Sequence, residues 1–316
     1  MNRKFYKNNH PNLCTILTKD YLVKGLALYH SLKKHTKDFH LWVLCVDEVS
    51  YDILEHMELK NVTLVKLKNL QTPKLKQLQK TRKLNEFCWT LKAPFILYLI
   101  KNNYNLDSIM YIDADLFFFD DIKQLYKEWG QSSILLTKLW LSPAWNRRVG
   151  RYQAGLIGFK RDANAFKCLN WWNKKCLEWC FDIKEKKRWA DQKYLDKWPA
   201  LVSDIKIIKS LGINSGPWNV RRFPIRVKGD VIYCKSNKLI AYHYSGFDIF
   251  NEGEFELCNR KKLPRKAIKH IYGPYAEEIS KVIKLLKSKD KEYSYGFSSK
   301  HQDKKLYNYY CLESND

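Results

Sequence analysis

The chain has 316 residues, enough for one large domain or two small ones, and with 45% hydrophobic and 15% aromatic residues it can bury a substantial core. Its 57 Lys and Arg against 33 Asp and Glu leave a formal charge of +24, which fits a polyanionic partner (nucleic acid, an anionic membrane surface or phosphorylated substrates) or a surface of solvated lysines. No apolar run nears the ~20 residues needed to cross a bilayer, the first twenty residues lack the apolar core of a secretion signal, and nine cysteines without a C-x-x-C pair read as buried thiols of a reducing compartment.

In chain order, "NLCTILT" (12–18) reads as a first strand and "YLVKGLALYHSLKKH" as a helix, with Leu22, Leu26, Tyr29 and Leu32 at helical spacing. "HLWVLCVDE" (40–48) is a second strand, "YDILEHMEL" a helix and "NVTLVKL" (61–67) a third strand. Such alternation implies a parallel α/β sheet with right-handed crossovers. Residues 60–85 hold eight Lys and Arg and no acid, and are expected to form a basic connection rather than a core element. "FCWTLKAPFILYLIKNN" (87–103) is a long apolar helix interrupted by Lys92. After "IMYIDADLFFFDDI", Asp121 is expected to cap a helix that Gly130 ends. "SSILLTKLW" and "GRYQAGLIGFKRD" supply strands, and "ANAFKCLNWWNKKCLEWCFD" a helix whose aromatic face belongs to the core. Cys176 and Cys180 within it lack the histidine or second pair of a zinc site. "VIYCKSNKLIAYHYSGFD" (231–248) is expected to close the sheet, and a lysine-rich tail follows from 259.

Asp113 and Asp115 stand between two apolar runs, where burying a carboxylate costs several kcal/mol unless it is compensated. In extended chain, residues i and i+2 share a face. Two carboxylates so placed repel unless they share a proton or a cation. At the carboxyl end of a parallel strand, where such sheets bind ligands, Mg²⁺ or Mn²⁺ with substrate phosphates is the natural solution. Taken alone, D-x-D is short and common, and turn-capping aspartates at a strand end explain it better.

The longer string "YIDADLFFFDDI" resembles the "YLDADxLVxxDI" segment of nucleotide-diphospho-sugar glycosyltransferases of the GT-A fold, particularly glycosyltransferase family 8. Further along, "TILTKDYLVKGLALYHSL" looks like the first strand and helix of that family, "RYQAGLIGF" is similar to its "FNxGVxxF", "RWADQKYLD" to "ADQDxLN", "PWN" (217–219) to "P-x-x-Y-N" and "HYSG" (243–246) to "HxxG". These matches fall in the family's order across residues 13–247. The resemblance implies an α/β, mainly parallel GT-A sheet flanked by helices, with residues 1–255 as the transferase domain and 256–316 as a basic helical extension.

It also implies residue roles. Asp113, Asp115 and His243 would ligate Mn²⁺ (or Mg²⁺) bridging the diphosphate of a nucleotide-sugar. Thr18, Tyr21, Lys92, Asp113, Gln153 and Asn219, with Asp47 as an additional candidate, would contact the donor. Asp191 and Gln192 would lie beside the anomeric carbon. Read alone, His243 fits a satisfied histidine, Lys92 a solvated lysine, and Asp191–Gln192 a loop or helix cap. Family 8 enzymes retain anomeric configuration. Retaining glycosidases use two carboxylates, whereas an Asp–Gln pair fits a front-face route better than a covalent intermediate. The expected partners are a nucleotide-diphospho-sugar, a UDP-sugar first, and a glycan or glycolipid acceptor in lipopolysaccharide or capsule synthesis, with no specific nucleic acid.

The sequence also departs from the family. Where "HxxGxxKPW" places a Lys on the diphosphate, this chain reads "HYSGFDIF", so Lys92 or one of Arg147, Arg148 and Arg151 would have to supply the charge. Gln153 stands where "FNxG" has Asn. The competing readings are a haloacid-dehalogenase-like phosphatase, disfavoured by Phe117 and by the late position of the motif, and a basic nucleic-acid binder, for which no signature is present. In the tail, Ile279, Val282, Ile283 and Leu286 form an apolar stripe beside Lys281, Lys284 and Lys287. Shallow insertion into an anionic membrane and a solvated helix packed on the fold are equally open. The expected location is cytoplasmic, either free or peripheral on the inner membrane face.

Overall fold

The computed structural model describes residues 10–300 and 305–312. The first nine and last four residues, including the start of the segment read for a secretion signal and the end of the basic extension, lie outside the described residues. By contact the chain groups into two compact units. One holds the chain up to Ile16, Asp38–Asp113 and Lys123–Lys209; the other holds Leu17–Lys37, Ala114–Ile122 and the chain from Ser210.

The first unit is built on seven strands: β1 (Asn12–Leu17), β2 (His40–Cys45), β3 (Val62–Lys66), β4 (Ser108–Ile112), β6 (Ile134–Lys138), β7 (Tyr152–Lys160) and β8 (Ile205–Ile208). Their order is β3-β2-β1-β4-β7-β6-β8. The β2–β3, β1–β4 and β6–β8 pairs are parallel, and β7 runs antiparallel to both of its neighbours. All six residues of β1 are buried, as expected of a strand covered on both faces. Helices α2 (Glu48–Met57), α3 (Pro73–Thr81), α4 (Leu84–Asn102), α5 (Lys123–Trp129), α6 (Pro143–Val149), α7 (Ala163–Glu178) and α8 (Trp198–Leu201) complete this unit. Asp47, Thr72, Ser142 and Asp162 cap α2, α3, α6 and α7 through their side chains. Trp129, Trp172 and Trp198 are fully buried, so these tryptophans are core. The stretch 60–85 is more than a basic connection, because it contains β3 and α3. Leu75 and Leu78 sit at i, i+3 and are buried beneath a lysine face.

The second unit contains α1 (Leu22–His35), β5 (Leu116–Phe118), β9 (Ile225–Lys228), β10 (Val231–Cys234), β11 (Asn237–Lys238), β12 (Ala241–His243), β13 (Asp248–Ile249), β14 (Glu254–Glu256), α9 (Arg265–Ala267), α10 (Gly273–Lys289) and β15 (Tyr309–Cys311). Segment 231–248 does not close the large sheet. Its strands divide between a β9–β10–β11 meander, the β5–β12 pair and the β13–β14–β15 sheet. β9 is exposed at three of its four positions, a pattern that suits a small antiparallel sheet and not one covered on both faces. The boundary expected at 255/256 falls inside β14, which pairs with both β13 and β15. Asp121 has a structural role, accepting from Thr36 Oγ1 at 3.0 Å.

The apolar stripe of α10 belongs to the core. Ile279, Val282 and Ile283 are 0% exposed and Leu286 2%, and α10 packs on α1. Tyr275 stacks on Tyr244 at 3.7 Å between ring centroids. These four side chains are therefore not available for membrane insertion, because removing them from their contacts would open the core. Lys281 and Lys284 remain exposed. No helix among the described residues is long and apolar enough to cross a membrane.

Candidate active site and metal centre

Strand order reverses at β1 and β4, and in open α/β sheets ligands bind outside the carboxyl ends of the strands at such a point. Asp113 directly follows β4, where its N–H donates to Gly155 O at 2.8 Å. From α4, Lys92 reaches the same place. Its Nζ lies 3.0 Å from Asp113 Oδ1 and 3.1 Å from Asp191 Oδ2. Lys92 and Asp191 thus form a buried ion pair. Tyr111 Oη donates to Asp113 Oδ1 at 3.0 Å.

This cluster is tightly enclosed: the side chains of Lys92 and Asp191 are each 4% exposed. Burial opposes the Lys92 charge, but Asp113 and Asp191 outweigh it and hold the pKa above the usual lysine value. Burial also pushes the Asp191 carboxyl up; Lys92 pulls it back, and Asp113 adds to the rise. Lys92 is thus the counterion of two carboxylates, and not a solvated lysine in an apolar helix.

Gln192 is held at both ends by backbone, with Nε2 donating to Val149 O at 2.9 Å and Oε1 accepting from Ala154 N at 3.4 Å. Trp172 Nε1 donates to Asp191 O at 2.9 Å. Gln153, one residue before Ala154 in β7, is buried opposite Thr137. Gly150 ends α6 at φ +100, where a Cβ would stand 3.3 Å from Lys193 Cα. Only glycine suits both that conformation and that approach.

In the second unit, β5 pairs with β12 so that Leu116 faces His243. Tyr244 N donates to Asp115 O at 2.8 Å, and His243 Nε2 lies 2.8 Å from Asp115 Oδ1. Burial works to raise the Asp115 pKa, but the charge and hydrogen bond of His243, with help from Lys24, bring it down to about 2. Trp218 sets its edge against the imidazole at 5.3 Å between centroids. Asn219 Oδ1 accepts from Gly216 N at 3.2 Å and braces the turn that carries Trp218. Gly246, the last residue of "HYSG", has φ +84, which accounts for glycine at that position.

Asp113 and Asp115 are one residue apart on continuous chain, and strand pairing sets His243 beside Asp115. One ligand atom from each of the three lies within 4.8 Å of the others. Two carboxylates and one imidazole suit a divalent cation such as Mn²⁺ or Mg²⁺, so the residues present fit the implied metal.

The remaining expected donor contacts are placed separately. Thr18 is buried and opens the short turn Lys19–Tyr21, whose Tyr21 is 44% exposed. Asp47 caps α2 by accepting from Ser50 N at 2.8 Å. Arg148 stacks over Trp145, and Arg151 pairs with Asp196. Sequence reasoning missed Lys24. Its Nζ donates to Phe247 O at 2.9 Å and lies over the Tyr21 ring at 4.8 Å. Burial pushes its pKa down, against the opposing charges of Asp115 and Asp248. The available signal was the one used for Lys92, a lysine interrupting an apolar stretch, here "LVKGLAL".

Residues 12–128 match the family model "Glycosyl transferase family 8". Two proteins of Bacillus subtilis (strain 168), described as the uncharacterized proteins YfnD and YfnF, are similar over nearly the whole chain. YfnD is 33% identical over 294 residues, 91% of this chain and 94% of its own; YfnF is 31% identical over 301 residues, 92% and 98%. Among solved structures, the galactosyltransferase LgtC in complex with donor and acceptor sugar analogs shares the fold, with TM-score 0.57 at 12% identity, over 85% of this chain and 95% of that one. The family's segment contains Lys92, Asp113 and Asp115, and the fold around them is GT-A. The chain belongs to glycosyltransferase family 8 and is a glycosyltransferase.

Proposed function

We propose that this enzyme moves a sugar from a nucleotide-diphospho-sugar, a UDP-sugar first, to a saccharide or lipid-linked glycan, with Asp113, Asp115 and His243 holding Mn²⁺ or Mg²⁺. The observation that carries this reading is the convergence of those three donors within 4.8 Å. A divalent cation held there supplies Lewis-acid neutralisation of charge on the departing nucleoside diphosphate. Lys24, whose Nζ binds the carbonyl just after "HYSG", provides the second positive charge for the diphosphate, in place of the lysine absent from "HYSGFDIF". Lys92 serves a different purpose, fixing Asp113 and Asp191 in position.

Asp191 and Gln192 stand at the sugar. The Gln192 amide is a fixed dipole because backbone holds both its ends. The Asp191 carboxylate is committed to an ion pair with Lys92, which makes it a poor nucleophile. Both features support a front-face, configuration-retaining transfer over a covalent intermediate. The test is to screen nucleotide-sugars for Mn²⁺-dependent hydrolysis and to read the anomer released by NMR. Retained configuration that depends on the metal is the expected result. Equal activity in chelator overturns the metal assignment, and an inverted product overturns the front-face route.

A further inference from the structure

The first unit contains a second feature that the donor reading does not use. A cavity of about 630 Å³ is lined by Pro143, Asn146, Arg147, Arg151, Lys186, Lys187, Lys193, Asp196 and Lys197. That volume lies within the ~300–1,000 Å³ of ligand sites. Six cations face one carboxylate, and Asp196 is already occupied: its Oδ1 accepts from Arg151 N at 2.8 Å and lies 3.5 Å from Arg151 Nε. Among the described residues, Arg147, Lys186, Lys187 and Lys197 have no acidic partner. A cleft of one charge sign focuses its field on incoming ions of the opposite sign. The like charges repel until such an ion enters.

The position of the cleft argues for a role in transfer. Lys193 directly follows Asp191–Gln192, and Arg151 precedes Gln153 by two residues. Gly150 brings the two segments into backbone contact at Lys193, and Lys193 Nζ donates to Arg147 O. The two segments that line the cleft are thus tied together beside Gln192, whose side-chain amide is held by Val149 and Ala154 on either side of them.

We infer that this cleft binds the acceptor, and that the acceptor is a glycan bearing closely spaced phosphate groups near the hydroxyl it offers. The inference rests on Asp191–Gln192 marking the sugar-transfer end of the site. A single phosphate would leave most of the six cations unneutralised, whereas an oligophosphate or phosphodiester-linked glycan pairs with several at once, with arginine as the bidentate partner.

The test uses the full chain and inorganic tripolyphosphate as the probe, with affinity measured by calorimetry at low and high salt. In Lys186→Glu/Lys187→Glu, two exposed positions, affinity is expected to fall at least roughly tenfold, with a shallower salt dependence. Lys74→Glu/Lys76→Glu on α3 makes the same charge change elsewhere and is expected to leave affinity unchanged. Equal weakening by both pairs, or by neither, overturns the cleft as an anion site. Vesicles of phosphatidylcholine with phosphatidic acid identify the source of the phosphates. Sedimentation lost only in Lys186→Glu/Lys187→Glu assigns them to a lipid-linked acceptor; no sedimentation of the wild type assigns them to a soluble one. Nucleotide-sugar hydrolysis by the wild type is measured in parallel. If tripolyphosphate binding follows the cleft lysines while no nucleotide-sugar is hydrolysed, the cleft stands and the donor reading falls.

Discussion

Lys92 Nζ lies 3.0 Å from Asp113 Oδ1, in an apolar helix that would otherwise have no use for a charge. The contact explains how a carboxylate can follow directly on a buried strand, because its counterion comes from the neighbouring helix. Removing one partner of a buried pair strands the other, at about 3–5 kcal/mol. Lys92→Met is expected to lower unfolding free energy in urea by about that amount. Lys92→Met/Asp191→Asn is expected to recover part of it, since the pair couples directly. A strictly additive double variant would show that Asp191 does not depend on Lys92.

The proposed metal ligands call for a different pattern. Asp113→Asn and Asp115→Asn are expected to abolish nearly all turnover while near-ultraviolet circular dichroism stays native, because each keeps its size and loses its charge. His243→Ala is expected to raise the Mn²⁺ concentration needed for half-maximal activity several-fold. Calorimetric Mn²⁺ titration of each variant checks the assignment without relying on catalysis. Unchanged Mn²⁺ affinity in Asp115→Asn would remove Asp115 from the site.

Lys24 is expected to act through the donor. Charge-assisted hydrogen bonds contribute about 1.5–3 kcal/mol, and about 1.4 kcal/mol is tenfold in an equilibrium constant. Lys24→Met should therefore raise the donor KM roughly ten- to hundredfold, with Lys24→Arg recovering part of the loss. If both variants lose kcat with KM unchanged, the lysine supports the fold of α1 and not the diphosphate.

What could be read from the sequence divides along the range of the interactions. The β1–α1–β2–α2–β3 alternation was visible because each element carries its own hydrophobic period within a few residues. Asp113 and Asp115 were visible because a carboxylate pair inside an apolar run needs an explanation on chemical grounds alone. Three features were not visible. The split of 231–248 among three small sheets depends on strand partners far along the chain, such as Leu116 for His243. The stripe of α10 has the same sequence whether α1 or a lipid covers it. The cationic cleft joins residues 143–151 to 186–197, two segments whose lysines and arginines look like ordinary surface until folding gathers them.

The cysteines give a chemical test of the packing. Burial pushes Cys45 and Cys88 up to about 12 and raises Cys14 and Cys176 well above the usual thiol value, so little thiolate is present near neutral pH to attack an alkylating reagent. Cys311 is exposed. Iodoacetamide at pH 8 is expected to modify Cys311 first in the native protein and the buried cysteines only in guanidinium, as read by peptide mass mapping. Rapid native labelling of Cys14 or Cys45, both buried, would contradict the packing around β1 or β2.

The C-terminal helix provides the last test, where core and surface roles separate cleanly by residue. Ile283 is 0% exposed on the face of α10 that packs on α1, whereas Lys281 and Lys284 are exposed. Ile283→Ala removes buried methyl groups and leaves a cavity, a change that costs about 2–5 kcal/mol in a well-packed core. Deleting residues 275–316 removes Tyr275 and the whole stripe, and is expected to abolish the cooperative unfolding transition. If the protein meets an anionic surface at this helix, its exposed lysines make the contact at about 1 kcal/mol each. Lys281→Glu/Lys284→Glu should then release the protein from anionic vesicles with its unfolding midpoint unchanged. Vesicle binding that survives this pair but is lost at high salt would move the contact to another basic face. A cooperative, fully stable truncated protein would show that α10 is not part of the core.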